Sequence, residues 1–127
     1  MRKFILLSVL GLSACVEEPV DGRSAYMADC AGCHGADARG GGQVARQLGE
    51  VAPDLTTIAS RNGGTFPRTQ VMSTIDGLDR GTHFSAIMPE FGAGDMGETV
   101  IVEEDGLGTP VPARLLALTD YLESIQR

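Results

Sequence analysis

The sequence contains no tryptophan, and only 5% of its residues are aromatic, so few large side chains are available to build a core. A chain of 127 residues fits one domain, and a domain this small has a poor ratio of interior to surface. Its hydrophobic content of 43% still allows a compact core. Seventeen glycines, most of them between positions 32 and 108, indicate loops with tight turns. A buried apolar cofactor would supply the surface that the side chains lack.

Basic residues are also scarce, because 10 Lys and Arg stand against 17 Asp and Glu and leave a formal net charge of -7. Nucleic acid is therefore not an expected partner, since phosphate binding needs clustered positive charge. An acidic domain instead suits redox protein partners with a basic docking surface, toward which it is steered electrostatically. The same acids also keep a small domain soluble, and the charge alone does not separate these two roles.

The N-terminal segment has no apolar run of the roughly 20 residues that a membrane-spanning helix needs. A shorter run at residues 4–12 follows Arg2 and Lys3, which is the layout of a secretory signal peptide. Residues 12–15 also resemble the lipobox of bacterial lipoproteins, whose cysteine, here Cys15, is lipidated and becomes the mature N-terminus.

That resemblance implies a signal peptide over residues 1–14 and an acidic tether over residues 15–21. It places the protein on the periplasmic side of a bacterial membrane, held by a lipid anchor. The alternative is an ordinary signal peptide cut near Ala14, which leaves Cys15 as a free thiol. A lone thiol is a liability in an oxidising compartment, and this favours lipidation.

Cys30, Cys33 and His34 form the pattern Cys-x-x-Cys-His, the attachment motif of c-type haem. Positions i and i+3 of a helix point in neighbouring directions, so both sulfurs can reach the two vinyl-derived carbons on one haem edge. The next residue, His34, can then place its imidazole under the iron. The motif predicts one covalently attached haem c.

Two other uses of these cysteines are less favoured. A Cys-x-x-Cys redox pair is expected beside a βαβ pattern, which this sequence lacks. A zinc site would combine Cys30 and Cys33 with both histidines, His34 and His83. Cys33 and His34 are adjacent, however, and neighbouring residues make awkward ligands for one tetrahedral ion.

Residues 22–35 resemble the N-terminal helix and haem turn of class I cytochromes c. The resemblance implies an all-α fold of short helices and loops around one haem, formed by residues 22–127. In that family a small residue of the first helix, here Gly22 or Ala25, packs against the C-terminal helix. Tyr26 would be the aromatic partner at this crossing.

Residues 52–55 resemble the family's segment over the proximal haem face. The resemblance implies that the Pro53 carbonyl accepts a hydrogen bond from the second ring nitrogen of His34. Such a bond fixes the tautomer of a ligating histidine and raises its basicity. Pro53 could equally serve only to shape a turn.

The second axial ligand of the iron has five candidates: Met27, Met72, Met88, Met96 and His83. Met27 shares the short helix with the cysteines and cannot reach the opposite haem face. Met72 lies in a predicted amphipathic helix, where methionine usually fills the core. Met96 lies in a glycine-flanked turn and is the weaker methionine, whereas His83 is the serious rival because imidazole binds haem iron readily.

Met88 is favoured because the following Pro89 biases it toward an extended backbone, which suits a loop over the haem. Residues 88–92 also match the distal-ligand motif of the family closely. A methionine–histidine ligand set raises the reduction potential.

The remaining patterns predict the other elements. Leu115, Leu118 and Leu122 lie on one face of a helix over residues 113–126, and residues 68–76 form a second amphipathic helix. β-Branched residues before an Asp-Gly pair predict a small hairpin near residues 99–107. Two loops are expected, a surface loop over residues 35–42 and a loop or short turn over residues 56–66.

The expected function is one-electron transfer outside the cytoplasm, in a respiratory-type electron transport chain, by a carrier that is not itself an enzyme. Two other classes stay open. The domain could be a fixed haem subunit of a larger oxidoreductase complex. It could also be a haem sensor or enzyme, which would need an open or displaceable distal position.

Overall fold

The computed structural model describes residues 19–79, 87–104 and 106–127. Cys15 and His83 lie outside these ranges, so the predictions for both stay predictions. Within the ranges the chain is mostly helical, with one two-stranded sheet. The helices are α1 (Gly22–Asp29), α2 (Ala31–His34), α3 (Gln43–Leu48), α4 (Ile58–Arg61), α5 (Arg68–Asp76) and α6 (Ala113–Ser124), with 3₁₀ turns at Leu55–Thr57 and Phe91–Ala93 and strands β1 (Thr99–Glu104) and β2 (Leu107–Pro112). No helix in the described ranges is both long enough and apolar enough to span a bilayer.

The two longest helices follow the periodic patterns of the sequence. Helix α5 covers the predicted residues and ends where Gly77 adopts a φ of 99°, a conformation that favours glycine. Helix α6 buries Leu115, Leu118 and Leu122, which confirms the predicted apolar face. These side chains form one core with α1, α5 and Val111 at the end of the hairpin.

Helices α1 and α6 cross in close contact at Gly22. A Cβ atom at this position would lie only 2.0 Å from the backbone carbonyl oxygen of Ala117, so the crossing has room for no side chain. Ala25 is buried one turn later, and the rings of Tyr26 and Tyr121 lie 5.3 Å apart. The N-terminal helix that precedes the two cysteines is therefore held against α6 by direct backbone packing.

The predicted hairpin is confirmed and is longer than expected, with Ile101 paired to Pro110. The amide of Ala113 donates to the Glu98 carbonyl at 2.7 Å. Hydrogen-bonded and non-hydrogen-bonded pairs alternate along an antiparallel ladder, so every second pair counted from this one is hydrogen-bonded. The Ile101–Pro110 and Thr99–Pro112 pairs lie between the hydrogen-bonded pairs, so their backbone N–H and C=O groups point away from the partner strand. Proline has no N–H, so the outer edge of β2 lacks two donors and is protected against pairing with another strand.

The two predicted loops differ from expectation in detail. Residues 35–42 are irregular as predicted, but the segment is not simply a surface loop, because Ala38 is fully buried and belongs to the core. Ala38 holds a φ of 60°, which turns the chain sharply inward. Residues 56–66 contain short helical turns, since the 3₁₀ turn runs directly into α4.

Candidate haem-binding site

The Cys-x-x-Cys-His residues lie at the junction of α1 and α2. Cys30 ends α1 and precedes α2, and its carbonyl accepts hydrogen bonds from the amides of Cys33 at 3.2 Å and His34 at 2.9 Å. Both cysteines are half-buried free thiols. One helical turn therefore carries two unpaired sulfurs three residues apart, as the motif predicts.

The loop after α2 folds back and fixes this turn. The amide of Gly40 donates to the His34 carbonyl at 2.7 Å, and the amide of Gly42 donates to the Cys33 carbonyl at 2.9 Å. The hydroxyl of the buried Tyr26 donates to the Gly35 carbonyl at 2.7 Å. The carbonyls at the end of a short helix are thus satisfied by the chain itself, which makes the turn rigid.

His34 is buried, with a side chain that contacts Pro53 across 19 residues of sequence. Its Nδ1 lies 3.2 Å from the Pro53 carbonyl oxygen, which can accept only if the proton is on Nδ1. The other ring nitrogen, Nε2, is then the one available to a metal. Burial lowers the pKa of His34, so the imidazole is neutral at physiological pH, the form that binds a metal. The role of this contact toward a bound iron is still a prediction.

An ion pair that the sequence pattern did not indicate holds the residue before Cys30. Both Nε and Nη2 of Arg114, at 3.0 and 2.6 Å, donate to the carboxylate of Asp29. This pair joins the start of α6 to the end of α1. Burial, with a smaller contribution from the charge of Asp29, raises the pKa of the Cys30 thiol to about 11.

The described methionines occupy different environments. Met27 is 40% exposed on α1, whereas Met96 is 7% exposed and lies in the core, near Val20 and Arg114. The two others are half-buried against the core, Met72 on α5 and Met88 in the segment before the second 3₁₀ turn. Of the described methionines, Met72 and Met88 are therefore the two whose side chains pack against the core and are still partly exposed.

The segment that follows Met88 is fixed against the end of α5. A Cβ atom at Gly92 would lie 2.6 Å from the Asp76 carbonyl oxygen and closer still to its carboxylate. A Cβ atom at Gly77 would similarly lie 2.9 Å from the side chain of Glu90. Both glycines leave no room for a side chain at these contacts, so the loop that carries Met88 has a defined position against the end of α5.

The residues of this region fit a covalently bound porphyrin. Two free thiols lie on one turn, a neutral imidazole has its tautomer set by a carbonyl, and several apolar side chains of the segments that follow are only half-buried. Those partly exposed side chains, which also pack against the core, are Leu55, Ile58, Phe66, Met72, Met88 and Phe91. A flat apolar group would cover surface that otherwise contacts water.

Asp54, directly after Pro53, organises the segment next to the His34 contact. Its Oδ1 accepts from the amide and the hydroxyl of Thr56, at 2.8 and 2.6 Å, and its Oδ2 accepts from Arg127 at 2.9 Å. These hydrogen bonds and the nearby guanidinium lower the pKa of Asp54 to about 2. The Asp-x-Thr pattern could have indicated the local turn, but no sequence signal indicated Arg127.

The stability of the protein should therefore depend on Asp54 in acid. Since the folded-state pKa is below the ordinary 3.8, ionised Asp54 stabilises the fold above about pH 4, and this is lost as pH falls toward 2. We expect an Asp54→Asn variant to be less stable than the wild type at pH 5, with the difference shrinking between pH 4 and 2. Thermal unfolding of both proteins at pH 5 and at pH 2 measures the difference in stability. A difference that is the same at the two pH values would contradict this role.

The comparisons with known proteins agree with the geometry of the turn. A family model described as cytochrome c matches residues 19–99, well over half of the chain. No curated protein and no solved structure matches the chain. The match includes both cysteines, the histidine and the segment that contains Pro53. The chain therefore belongs to the cytochrome c family, and it carries a haem c attached covalently through Cys30 and Cys33.

Proposed function

We propose that this protein transfers single electrons outside the cytoplasm through a haem whose axial ligands are His34 and Met88. Membership of the cytochrome c family implies haem-based electron transfer. The observation that carries the ligand proposal is the buried His34 ring, whose Nδ1 meets the Pro53 carbonyl and leaves Nε2 for the iron. When bound, the haem supplies an iron that alternates between ferric and ferrous states.

The chain's part in this process is to hold that iron in a constant environment. The Pro53 carbonyl orients the imidazole and strengthens it as a donor. Met88 would supply a soft sulfur on the other side, and soft ligands favour ferrous iron and a high potential. The packing of Gly92 on Asp76 gives the loop that carries Met88 a defined position, and Pro89 favours the extended backbone that suits a loop over the haem.

Exposure of the reduced holoprotein to carbon monoxide tests this function against a sensor or enzyme. A carrier with both axial positions filled keeps its ferrous absorption spectrum unchanged. A haem sensor or enzyme needs an open or displaceable position, and carbon monoxide would then shift the spectrum. Such a shift in the wild type would overturn the electron-carrier proposal.

The partner we propose is a redox protein with a basic docking surface. The chain has a net charge of -7, and two exposed carboxylates lie here: Glu98 directly before the hairpin and Glu103 within it. Opposite charges accelerate encounter between proteins, and this acceleration decreases as salt screens them. Strand β1 begins at Thr99, where the family match ends, so Glu103 lies beyond the matched region.

Charge reversal of the hairpin should slow that encounter. For the double variant Glu103→Lys with Glu104→Lys, we expect electron exchange with a basic redox protein at low salt to be about fivefold slower than in the wild type. Stopped-flow absorption measures the rate, and the difference should vanish at high salt. Asp37→Lys with Glu50→Lys makes the same change of net charge outside the hairpin. Equal slowing in both double variants would show that the hairpin is not the docking surface.

We also propose that Cys15 carries a lipid anchor that keeps the domain at the periplasmic side of a membrane. Stable anchoring takes more than one acyl chain, and a triacylated cysteine provides that. Mass spectrometry of the membrane-extracted protein should show a mature chain that begins at a lipidated Cys15. An unmodified Cys15 would overturn the lipid anchor.

Co-purification after gentle detergent extraction separates a mobile carrier from a complex subunit. A partner protein retained in fixed stoichiometry would favour the complex subunit.

A further inference from the structure

The last two residues of the sequence form a set of hydrogen bonds that the function described so far does not use. We call Gln126 and Arg127 the clasp. The Gln126 side chain accepts from the Ala59 amide at 2.9 Å and donates to the Leu55 carbonyl at 2.8 Å. These contacts span 67 and 71 residues of sequence, so they join the end of α6 to the segment after Pro53.

Arg127 binds the same segment with both its backbone and its side chain. Its amide donates to the Thr56 carbonyl at 3.0 Å, and its Nε donates to the Thr56 hydroxyl at 2.7 Å. Its Nη2 donates to Asp54 Oδ2 at 2.9 Å and forms an ion pair there. The clasp thus contacts the chain from Asp54 to Ala59, beginning at the residue next to Pro53.

The target segment is also fixed from its other side. The Leu55 amide donates to the carbonyl of the buried Ala38 at 2.7 Å, and Arg61 donates to the Asp54 carbonyl at 2.8 Å. Thr56 is itself buried, with 5% of its surface exposed. The clasp therefore completes a network of hydrogen bonds around residues 54–59. We call this network the frame, and it begins at the peptide bond between Pro53 and Asp54.

From this frame we infer that Gln126 and Arg127 are positioning residues for the haem, acting through Pro53 and His34. The clasp keeps the Pro53 carbonyl at hydrogen-bond distance from His34 Nδ1. An imidazole that donates to a carbonyl is a stronger metal ligand. A stronger donor favours ferric iron, so the clasp lowers the reduction potential of the protein.

This inference rests on the proposed ligation of the iron by His34. Its experiment uses the holoprotein with three sets of substitutions. Gln126→Ala combined with Arg127→Ala removes the side-chain bonds of the clasp, and Arg127→Lys keeps the charge but not the two-point contact. Arg68→Ala is the matched control, because Arg68 binds Asp120 and Glu123 on α6 and makes no described contact with residues 53–59.

In the double variant we expect the ferrous-to-ferric ratio at a fixed ambient potential to rise about threefold, because the hydrogen bond to His34 is weakened and not removed. At about 59 mV for each factor of ten, this equals roughly 28 mV. Exchange of the His34 Nδ1 proton with solvent, followed by NMR of the ferrous form, should accelerate about tenfold because the loosened segment opens more often. Arg127→Lys should give smaller changes, and Arg68→Ala should leave both quantities at the wild-type value.

Two results would overturn the inference. If the double variant and Arg68→Ala lose similar stability but share the wild-type potential and exchange rate, the clasp is only structural. If the wild type itself lacks His34 ring signals shifted by the haem ring current, His34 is not a ligand, and the proposed ligation fails together with this inference. Correct ring-current shifts with unchanged double-variant values therefore isolate a failure of the clasp alone.

Discussion

Replacing Met88 by alanine is expected to open one axial position of the haem. The ferrous variant should bind carbon monoxide, which the wild type should not, because the sulfur that fills this position in the proposed ligand set is removed. Loss of the soft sulfur should also lower the reduction potential, by on the order of 100 mV, since axial ligands vary haem potentials over about 0.8 V. Absorption spectra under carbon monoxide and a redox titration measure the two effects.

Two other methionines provide controls for this variant. Met72→Ala removes the other half-buried methionine and Met96→Leu replaces the buried one at nearly constant volume. The second change should cost less than about 1.5 kcal/mol of stability. Both controls should keep a ferrous spectrum that carbon monoxide does not change. Carbon monoxide binding by the Met72 variant, with Met88→Ala unaffected, would assign the ligand to α5 instead.

Gly22→Val is expected to be the most destabilising single substitution at the crossing of α1 and α6. A Cβ atom there would lie 2.0 Å from the Ala117 carbonyl oxygen, and a backbone atom cannot rotate away as a side chain can. Overpacking of this kind costs about 3 kcal/mol. For a domain of this size, that corresponds to a decrease of roughly 12 °C in Tm. Thermal unfolding followed by circular dichroism measures the loss.

Gly94→Ala is the matched control for the glycine variant. A Cβ atom at Gly94 would lie 3.5 Å from its nearest described neighbour, the Phe91 carbonyl oxygen, which is an ordinary contact. Its φ of -100° is open to any residue, so alanine should change the free energy of unfolding by less than about 0.5 kcal/mol. If Gly22→Val were as stable as this control, the close crossing of α1 and α6 would be wrong.

Local pattern was sufficient to predict several elements of the fold. Helix α6 follows from the spacing of its leucines, and α5 from an amphipathic run that ends at Gly77. The hairpin follows from β-branched residues next to an Asp-Gly pair, and the attachment turn from the Cys-x-x-Cys-His spacing. These features are encoded within a dozen residues each, where periodicity and turn chemistry act directly.

The contacts around the haem turn could not be predicted in the same way. Asp29 and Arg114 are 85 residues apart, and Asp54 and Arg127 are 73 residues apart. Each is a single pair of charges with no period or spacing rule, so only the packing of α6 on α1 and the proximal segment brings them together. The burial of Met96 has the same origin, since its glycine-flanked turn gives no local signal of burial and only the tertiary core covers it.

The near-infrared absorption spectrum of the ferric holoprotein should be recorded first, because it reports on the iron ligands themselves. The proposed site is a haem attached at Cys30 and Cys33 with both axial positions filled, by His34 and Met88. We expect the charge-transfer band of a methionine–iron bond in the wild type and its loss in Met88→Ala. A wild-type spectrum without the band would rule out Met88 as a ligand, and the sixth position would then belong to His83 or stand open to a small molecule.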